Sequence, residues 1–199
     1  MTSDQLKALG LGEQWLEPLN ETFDKYQINT PQRQACFLGQ TLHESGGFKF
    51  TRENLNYSAK ALMATWPSRF PDMDTAMQYE RKPEKIANKV YSGRMGNTEE
   101  DDGARFIGRG LIQVTGKENY THCGEALGVD LMANPYLLEE PRYAVLSAGW
   151  FWNKKGLNAL ADEGTKDSFE VMTKRINGGL LGLDDRKAKM NEALKALGA

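Results

Sequence analysis

Two glutamates, Glu44 and Glu53, flank a pair of glycines, Gly46 and Gly47. Hydrolysis of a glycosidic bond needs one protonated carboxyl group, which donates to the leaving oxygen, and one carboxylate, which activates water or attacks carbon. A helix end, a glycine turn and a returning segment can aim two carboxyl groups at one space, where unlike surroundings give them opposite protonation states. The pattern favours Glu44 as the acid and Glu53 as the base. The alternative is a solvated surface pair, the usual fate of charged residues.

The residues before Glu44 carry the signals of a helix. Thr30 is a typical N-cap, and Pro31 follows at the first helical position. A buried stripe at helical spacing is formed by Ala35, Leu38 and Leu42. These signals predict a helix that begins at Thr30-Pro31 and places Glu44 in its last turn.

Most of the remaining chain also predicts helices. Apolar residues recur at helical spacing in several stretches, which are 5–9, 15–26, 73–80, 82–91, 141–153, 168–177 and 183–197. The helix that ends at Asn177 is followed by Gly178-Gly179, a left-handed stop signal. Strand signals are confined to short pieces near 48–57 and 106–115. The fold is therefore expected to be mainly α, a helical bundle with a small β element.

The composition excludes several classes of protein. The 199 residues carry a net charge of −2, which gives no broad attraction to nucleic acid. No apolar run reaches the length of a membrane span and no signal pattern opens the chain, so we expect synthesis in the cytoplasm. The only histidines are His43 and His122, and Cys36 and Cys123 have no zinc-ligand spacing around them. We therefore expect no metal and no cofactor.

Residues 60–102 differ from the flanking sequence in composition and in the length of their predicted helices. Short helical stretches alternate with prolines, and basic residues precede an acidic run at 99–102. One interpretation is that this segment lies on the protein surface and that its charged side chains are solvated. The other is a small helical subdomain that binds a polymer and is inserted into a catalytic domain formed by 1–59 and 103–199.

A glycine-rich segment, 104–116, follows the insert. The alternation of apolar and polar residues over 111–115 predicts an extended segment that leads into a helix near Lys117. Gly108-Arg109-Gly110 resembles half of a dinucleotide fingerprint. However, the third glycine is missing, so this motif is a weak signal for a nucleotide.

Three separated pieces together resemble the signature regions of family 19 glycoside hydrolases, which include plant-type chitinases and many bacterial and phage lysozymes. They are Gln40 to Glu53, Gly108 to Tyr120, and Arg175 to Gly179. The short interval between the glutamates and the compact size are similar to the phage endolysin branch. The resemblance implies a lysozyme-like α+β fold and an inverting mechanism, with carboxyl groups roughly 6.5–9.5 Å apart.

The resemblance also implies roles for individual residues. Glu44 is the general acid, Glu53 the general base, and Thr115 helps to hold the attacking water. Substrate-binding roles fall to amide, phenol and guanidinium side chains, which are those of Gln113, Asn119, Asn177, Tyr57 and Arg186. Arg186 is near the position of a family arginine that lies behind the acid. Plant members have an acidic residue where this chain has Leu181, so their charge network around the acid does not transfer unchanged.

From this resemblance we expect a muramidase that cleaves the β-1,4 bond between N-acetylmuramic acid and N-acetylglucosamine in peptidoglycan. It would act as a monomer on the cell wall and would need a holin-type membrane permeabiliser to reach it. Two alternatives remain open. One is a chitinase with the same machinery, and the other is a wall-binding protein without catalytic activity.

Overall fold

The computed structural model describes all residues, Met1–Ala199, and divides into two compact units. The first unit comprises Met1–Thr51, Gly110–Gln113 and Tyr136–Ala199. The second comprises Arg52–Arg109 and Val114–Pro135. The predicted insert, 60–102, lies within the second unit, and its role as a separate subdomain stays a prediction. None of the helices is both long and apolar enough to cross a membrane.

The first unit is a helical assembly. Its α-helices are α1 (Ser3–Ala8), α2 (Leu16–Lys25), α3 (Pro31–Glu44), α9 (Pro141–Lys154), α10 (Leu157–Glu163), α11 (Lys166–Asn177) and α12 (Leu183–Ala196). A 3-10 turn, Glu13–Trp15, precedes α2, and another, Pro135–Glu139, lies where the chain re-enters this unit. All of these helices overlap stretches predicted from apolar periodicity except α10, which the sequence analysis did not single out.

Helix α3 is the central element of the first unit. It packs against α12, and the ring of Phe37 meets that of Trp152 on α9 at 5.4 Å between centroids. Gly39 lets α12 approach closely, because a Cβ there would lie 2.8 Å from the carbonyl oxygen of Arg186. Helix α3 is therefore covered by neighbouring helices through its middle turns, and only its first and last turns reach towards solvent.

The second unit contains five α-helices. They are α4 (Ala59–Thr65), α5 (Met73–Tyr79), α6 (Pro83–Tyr91), α7 (Asp102–Arg105) and α8 (Lys117–Leu127). Helices α4, α5 and α6, with residues that flank them, enclose an apolar core. It is formed by Leu55, Ala59, Leu62, Phe70, Ala76, Ile86, Ala87, Val90 and Ile107. Most of this core comes from 60–102, so that segment is a folded part of the unit.

The mainly α fold is confirmed, and the extended pieces form isolated bridges instead of a sheet. The bridges join Arg52 to Arg109 and Arg109 to Val114. The prediction of an extended segment over 111–115 is wrong, because Gly110–Gln113 form a turn in which Gly110 and Gln113 both have positive φ angles, 89° and 54°. Leu111 is fully buried in the first unit, which explains the apolar pattern that suggested a strand.

Candidate active site

Glu44 is the last residue of α3, as the sequence predicts. The Thr30 hydroxyl accepts a hydrogen bond from the Arg33 amide at 3.1 Å and caps the start of the helix. After the helix, Gly46 and Gly47 adopt φ angles of 59° and 75°, which glycine tolerates at no steric cost. The cap and the glycines thus fix the length of α3. They leave the side chain of Glu44 partly open to solvent, at 22% exposure.

The carboxyl group of Glu44 is backed by a buried cation. Arg186 on α12 places Nη2 2.6 Å from Glu44 Oε1, although the N–H bonds of that nitrogen do not point along the contact. The same guanidinium donates to Gln40 Oε1 at 2.8 Å and to the carbonyl oxygen of Leu181 at 3.0 Å. Gln40 in turn donates to Thr173 at 3.0 Å. Gln40 and the carbonyl oxygen of Leu181 thus hold the Arg186 guanidinium against the buried side of the Glu44 carboxyl group.

Two expectations about this network need correction or refinement. Arg186 is only 1% exposed, so it lies behind Glu44 and cannot bind substrate as the sequence analysis assigned it. The exposed side chain of Leu181 supplies no charge where plant members have an acidic residue. Here the backbone carbonyl of the same residue takes up part of the guanidinium's hydrogen-bonding capacity.

His43, next to Glu44, is tied to the start of α12. Its Nδ1 lies 2.6 Å from Asp185 Oδ2, and Lys189 donates to the other carboxylate oxygen at 2.7 Å. The bond from Lys189 and then that to His43 hold the pKa of Asp185 below its usual value. Gly182 has a φ angle of 74°, and a Cβ there would lie 2.2 Å from the His43 ring. The end of α3 and the start of α12 are therefore closely packed.

Glu53 belongs to the second unit, where both of its carboxylate oxygens are bound. The amide of Gly108 donates to Oε1 at 3.0 Å, and the hydroxyl of Tyr91 donates to Oε2 at 2.9 Å. The backbone amide of Glu53 donates to the carbonyl oxygen of Gly108 at 2.9 Å. Glu53 also lines a cavity of about 290 Å³, together with the side chains of Arg52 and Glu84.

Tyr91 was missed by the sequence analysis. It is the last residue of α6, and no local pattern connects it with Glu53. Burial, and next the negative charge of Glu53, raise the pKa of the Tyr91 phenol well above its usual value. The phenol therefore stays protonated and can donate to the carboxylate throughout the pH range in which most enzymes work.

The other candidates are distributed between the two units. In the second unit, Asn119 donates to the carbonyl oxygen of Thr115 at 2.8 Å, and Tyr57 packs its ring 5.0 Å from that of Trp66. In the first unit, Gln113 donates to the carbonyl oxygen of Gly110 at 3.1 Å. Asn177 is exposed at the end of α11, where Gly178 adopts the left-handed stop conformation, as predicted.

The candidate site residues are divided between the two compact units. Glu44, Gln113 and Asn177 belong to the first unit, and Glu53 belongs to the second. Tyr57, Thr115 and Asn119 also belong to the second unit. The roles assigned to all of these side chains stay predictions.

Comparison with known proteins identifies the class. The family model described as "Chitinase class I", that of family 19 glycoside hydrolases, matches residues 24–159. The chain therefore belongs to glycoside hydrolase family 19, and it is a glycoside hydrolase. A "Glycosyl hydrolase family 19 domain-containing protein" of Haemophilus influenzae is 46% identical over 180 residues, which are 89% of this chain and 86% of that protein.

Two chitinases are also similar. Endochitinase 2 of Gossypium hirsutum is 34% identical over 127 residues, 63% of this chain, and the match spans only 36% of that longer protein. The crystal structure of chitinase C from Streptomyces griseus aligns with a TM-score of 0.66 at 20% identity, covering 100% of this chain and 92% of that chain. This structural likeness supports the lysozyme-like helical fold.

Proposed function

We propose that the protein hydrolyses peptidoglycan at the β-1,4 bond between N-acetylmuramic acid and N-acetylglucosamine, with inversion. The observation that carries this choice of substrate is a basic pocket in the second unit. Arg69, Lys85 and Lys89 line one cavity of about 470 Å³, and Glu100 is the only acidic residue that lines it with them. We refer to this cavity as the basic pocket.

The basic pocket is free to attract an anion. None of its three cations forms an ion pair with a carboxylate of the protein. Lys85 and Lys89 each lie 5.1 Å from the centre of the Tyr79 ring, which holds them on one side of the cavity. Cations without an ion-pair partner attract acidic ligands. Peptidoglycan carries carboxylates on its stem peptides, whereas chitin has no charge, so the pocket favours peptidoglycan.

In this proposal Glu44 is the general acid and Glu53 is the general base. Glu44 donates its proton to the glycosidic oxygen, and Arg186 then stabilises the carboxylate that has formed. Glu53 accepts a proton from the attacking water, which Thr115 helps to hold. The amides of Gln113, Asn119 and Asn177 and the phenol of Tyr57 bind the sugar, since N-acetyl and hydroxyl groups need both donors and acceptors.

We propose the phage endolysin branch of the family, acting as a monomer on the cell wall. An enzyme made inside a cell would reach the wall with the help of a holin-type membrane permeabiliser. The segment 60–102, which supplies the whole basic pocket, would bind the wall.

The test of the chemistry uses purified sacculi. Glu44→Gln and Glu53→Gln should each lower the rate of formation of new reducing ends by about 10³-fold, because each loses one proton-transfer group. The matched control is Glu21→Gln, which alters an exposed glutamate paired with Arg142. Mass spectrometry of the products identifies the sugar at each new end. Full activity of Glu44→Gln would overturn the assignment.

A chitinase is the second candidate, because the matched family model and the aligned crystal structure are both described as chitinases. It is distinguished by comparing sugar release from colloidal chitin with that from sacculi. A triple variant, Arg69→Gln with Lys85→Gln and Lys89→Gln, should lower the rate on sacculi about tenfold and leave the rate on chitin oligosaccharides unchanged, because local charge raises the association rate only of a charged substrate.

The control for this triple variant is a second triple variant that loses three positive charges outside the basic pocket. Lys7, Lys25 and Lys195 are exposed residues of the first unit that can be changed to Gln together. Equal losses in both triple variants would indicate a general charge effect. A normal rate on sacculi in the basic-pocket variant, with faster release from chitin, would favour the chitinase.

A further inference from the structure

The carboxylate of Glu53 accepts hydrogen bonds from two separate parts of the second unit. Each carboxylate oxygen accepts one hydrogen bond, from the Gly108 amide or from the Tyr91 hydroxyl. A carboxylate oxygen has two lone pairs, so each oxygen can still accept a proton or bind a water molecule. The two donors thus fix the carboxylate in space without filling its capacity as a base.

Tyr91 is itself held firmly. Its carbonyl oxygen accepts a hydrogen bond from the side chain of Asn97 at 3.0 Å, and Asn97 is only 1% exposed. The other end of the Asn97 amide accepts a bond from the Lys117 amide at 2.9 Å, at the start of α8. Asp102 accepts bonds from Lys117 Nζ and from the amides of Thr98 and Glu99. Asn97 thus fixes the backbone of Tyr91 at the end of α6, and the only side-chain hydrogen bond that Tyr91 makes is the one to Glu53.

We propose that Tyr91 is a positioning residue of the hydrolytic reaction, whose hydroxyl orients the Glu53 carboxylate and favours its ionised form. The inference rests on the proposed role of Glu53 as the general base. A hydrogen bond donated to a carboxylate stabilises the charged form over the neutral one. The backbone donor at Gly108 remains whatever residue occupies position 91, so the contribution of Tyr91 can be removed alone.

Other charged groups near this pair must be considered in any pH measurement. Arg52 and Glu84 line the same cavity as Glu53. Arg94 and Tyr57 act electrostatically on Tyr91. These groups are all retained when only the phenolic oxygen of Tyr91 is removed, so they contribute equally to the variant and the parent protein.

The test is Tyr91→Phe, which keeps the ring and removes the hydroxyl. The dependence of kcat and KM on pH is measured on sacculi and on chitin oligosaccharides. We expect kcat to fall about tenfold near neutral pH, with KM changed less than about twofold. The acid limb of the activity profile should move to higher pH, because the ionised base has lost a donor.

The matched control is Tyr143→Phe, which removes a phenolic oxygen from the first unit. We expect its pH profile to match that of the parent. Thermal unfolding of both variants separates a structural role from a positioning role. A structural role would lower the melting temperature of Tyr91→Phe without moving the acid limb, and that result would overturn the inference.

The outcomes distinguish this inference from the proposed function. If the parent protein hydrolyses either substrate and Glu53→Gln is inactive, an unchanged acid limb in Tyr91→Phe overturns the role of Tyr91 alone. If Glu53→Gln is fully active, or the parent cleaves neither substrate, the role of Glu53 fails and the role of Tyr91 fails with it.

Discussion

Glu44 and Glu53 are supported by opposite kinds of partner. Behind Glu44 lies a cation, the guanidinium of Arg186, which is itself buried. Around Glu53 the donors are neutral, a phenol and a backbone amide. One carboxyl group is thus matched by a full charge, and the other by dipoles.

The difference predicts how each support responds to mutation. A buried charge depends on its counter-charge, and removal of one partner leaves the other without compensation. A neutral donor can be removed at the cost of one hydrogen bond, because the carboxylate that remains keeps its other donor and some solvent. We therefore expect the supports of Glu44 to be more sensitive than those of Glu53, both for folding and for activity.

The largest effect is expected from Arg186→Met. The change removes the counter-charge of Glu44 and also leaves Gln40 Oε1 and the carbonyl oxygen of Leu181 without their donor. Loss of one partner of a fully buried ion pair typically costs about 3–5 kcal/mol of the free energy of unfolding, and because Glu44 is 22% exposed we expect the lower end of that range, about 3 kcal/mol. Urea-induced unfolding measures this cost, and hydrolysis of sacculi should fall in parallel.

The control for this variant is an exposed ion pair. Arg142 lies 2.8 Å from Glu21, with side chains that are 57% and 39% exposed. Arg142→Met should leave the urea midpoint almost unchanged, since exposed pairs contribute little to stability. Similar midpoints for the two variants would contradict the view that the cation behind Glu44 is a buried structural charge.

A smaller effect is expected in the support of Glu53, from Asp102→Asn. Burial alone would raise the pKa of Asp102, but bonds from the Glu99 amide, from Lys117 and from the Thr98 amide hold it below its usual value. The charged form therefore stabilises the folded state at pH values above about 4, and this contribution is lost as the pH falls through the lowered pKa.

The measurement is the free energy of unfolding at several pH values. At pH 7, Asp102→Asn should lose about 1–2 kcal/mol, the typical cost of removing a charged hydrogen-bond acceptor. The difference from the parent protein should shrink between pH 5 and pH 2. A difference that stays constant over that interval would show that ionisation of Asp102 does not contribute to stability.

The local features of the site could be predicted from the sequence. The Thr30 cap, the end of α3 at Glu44 and the stop at Gly178 are each encoded by a few adjacent residues, and the structure confirms all three. Helix propensities and caps act over one or two turns, so a pattern in the sequence is enough to locate them. The family resemblance added the chemistry, which periodicity alone does not supply.

The partners of the two glutamates could not be predicted in this way. Arg186 was grouped with the substrate-binding residues, because a sequence does not show how deeply a distant side chain will be buried. Tyr91 was not singled out at all, since its contact with Glu53 is formed by tertiary packing. The turn at Gly110–Gln113 was mistaken for a strand, because burial of Leu111 gives the same apolar signal in either structure.

The smallest expected effect is a difference between the two units in the urea concentration at which their cysteines become reactive. Cys36 belongs to the first unit and Cys123 to the second, and burial raises the pKa of each thiol to about 12. We expect neither to react with iodoacetamide at pH 8 in the native protein, because the reactive thiolate is scarce and shielded. In increasing urea, Cys123 should react first, since the smaller second unit has the smaller apolar core to oppose local opening. Cys36→Ala and Cys123→Ala variants report each site separately, and labelling of both thiols at one urea concentration would mean that the units open together.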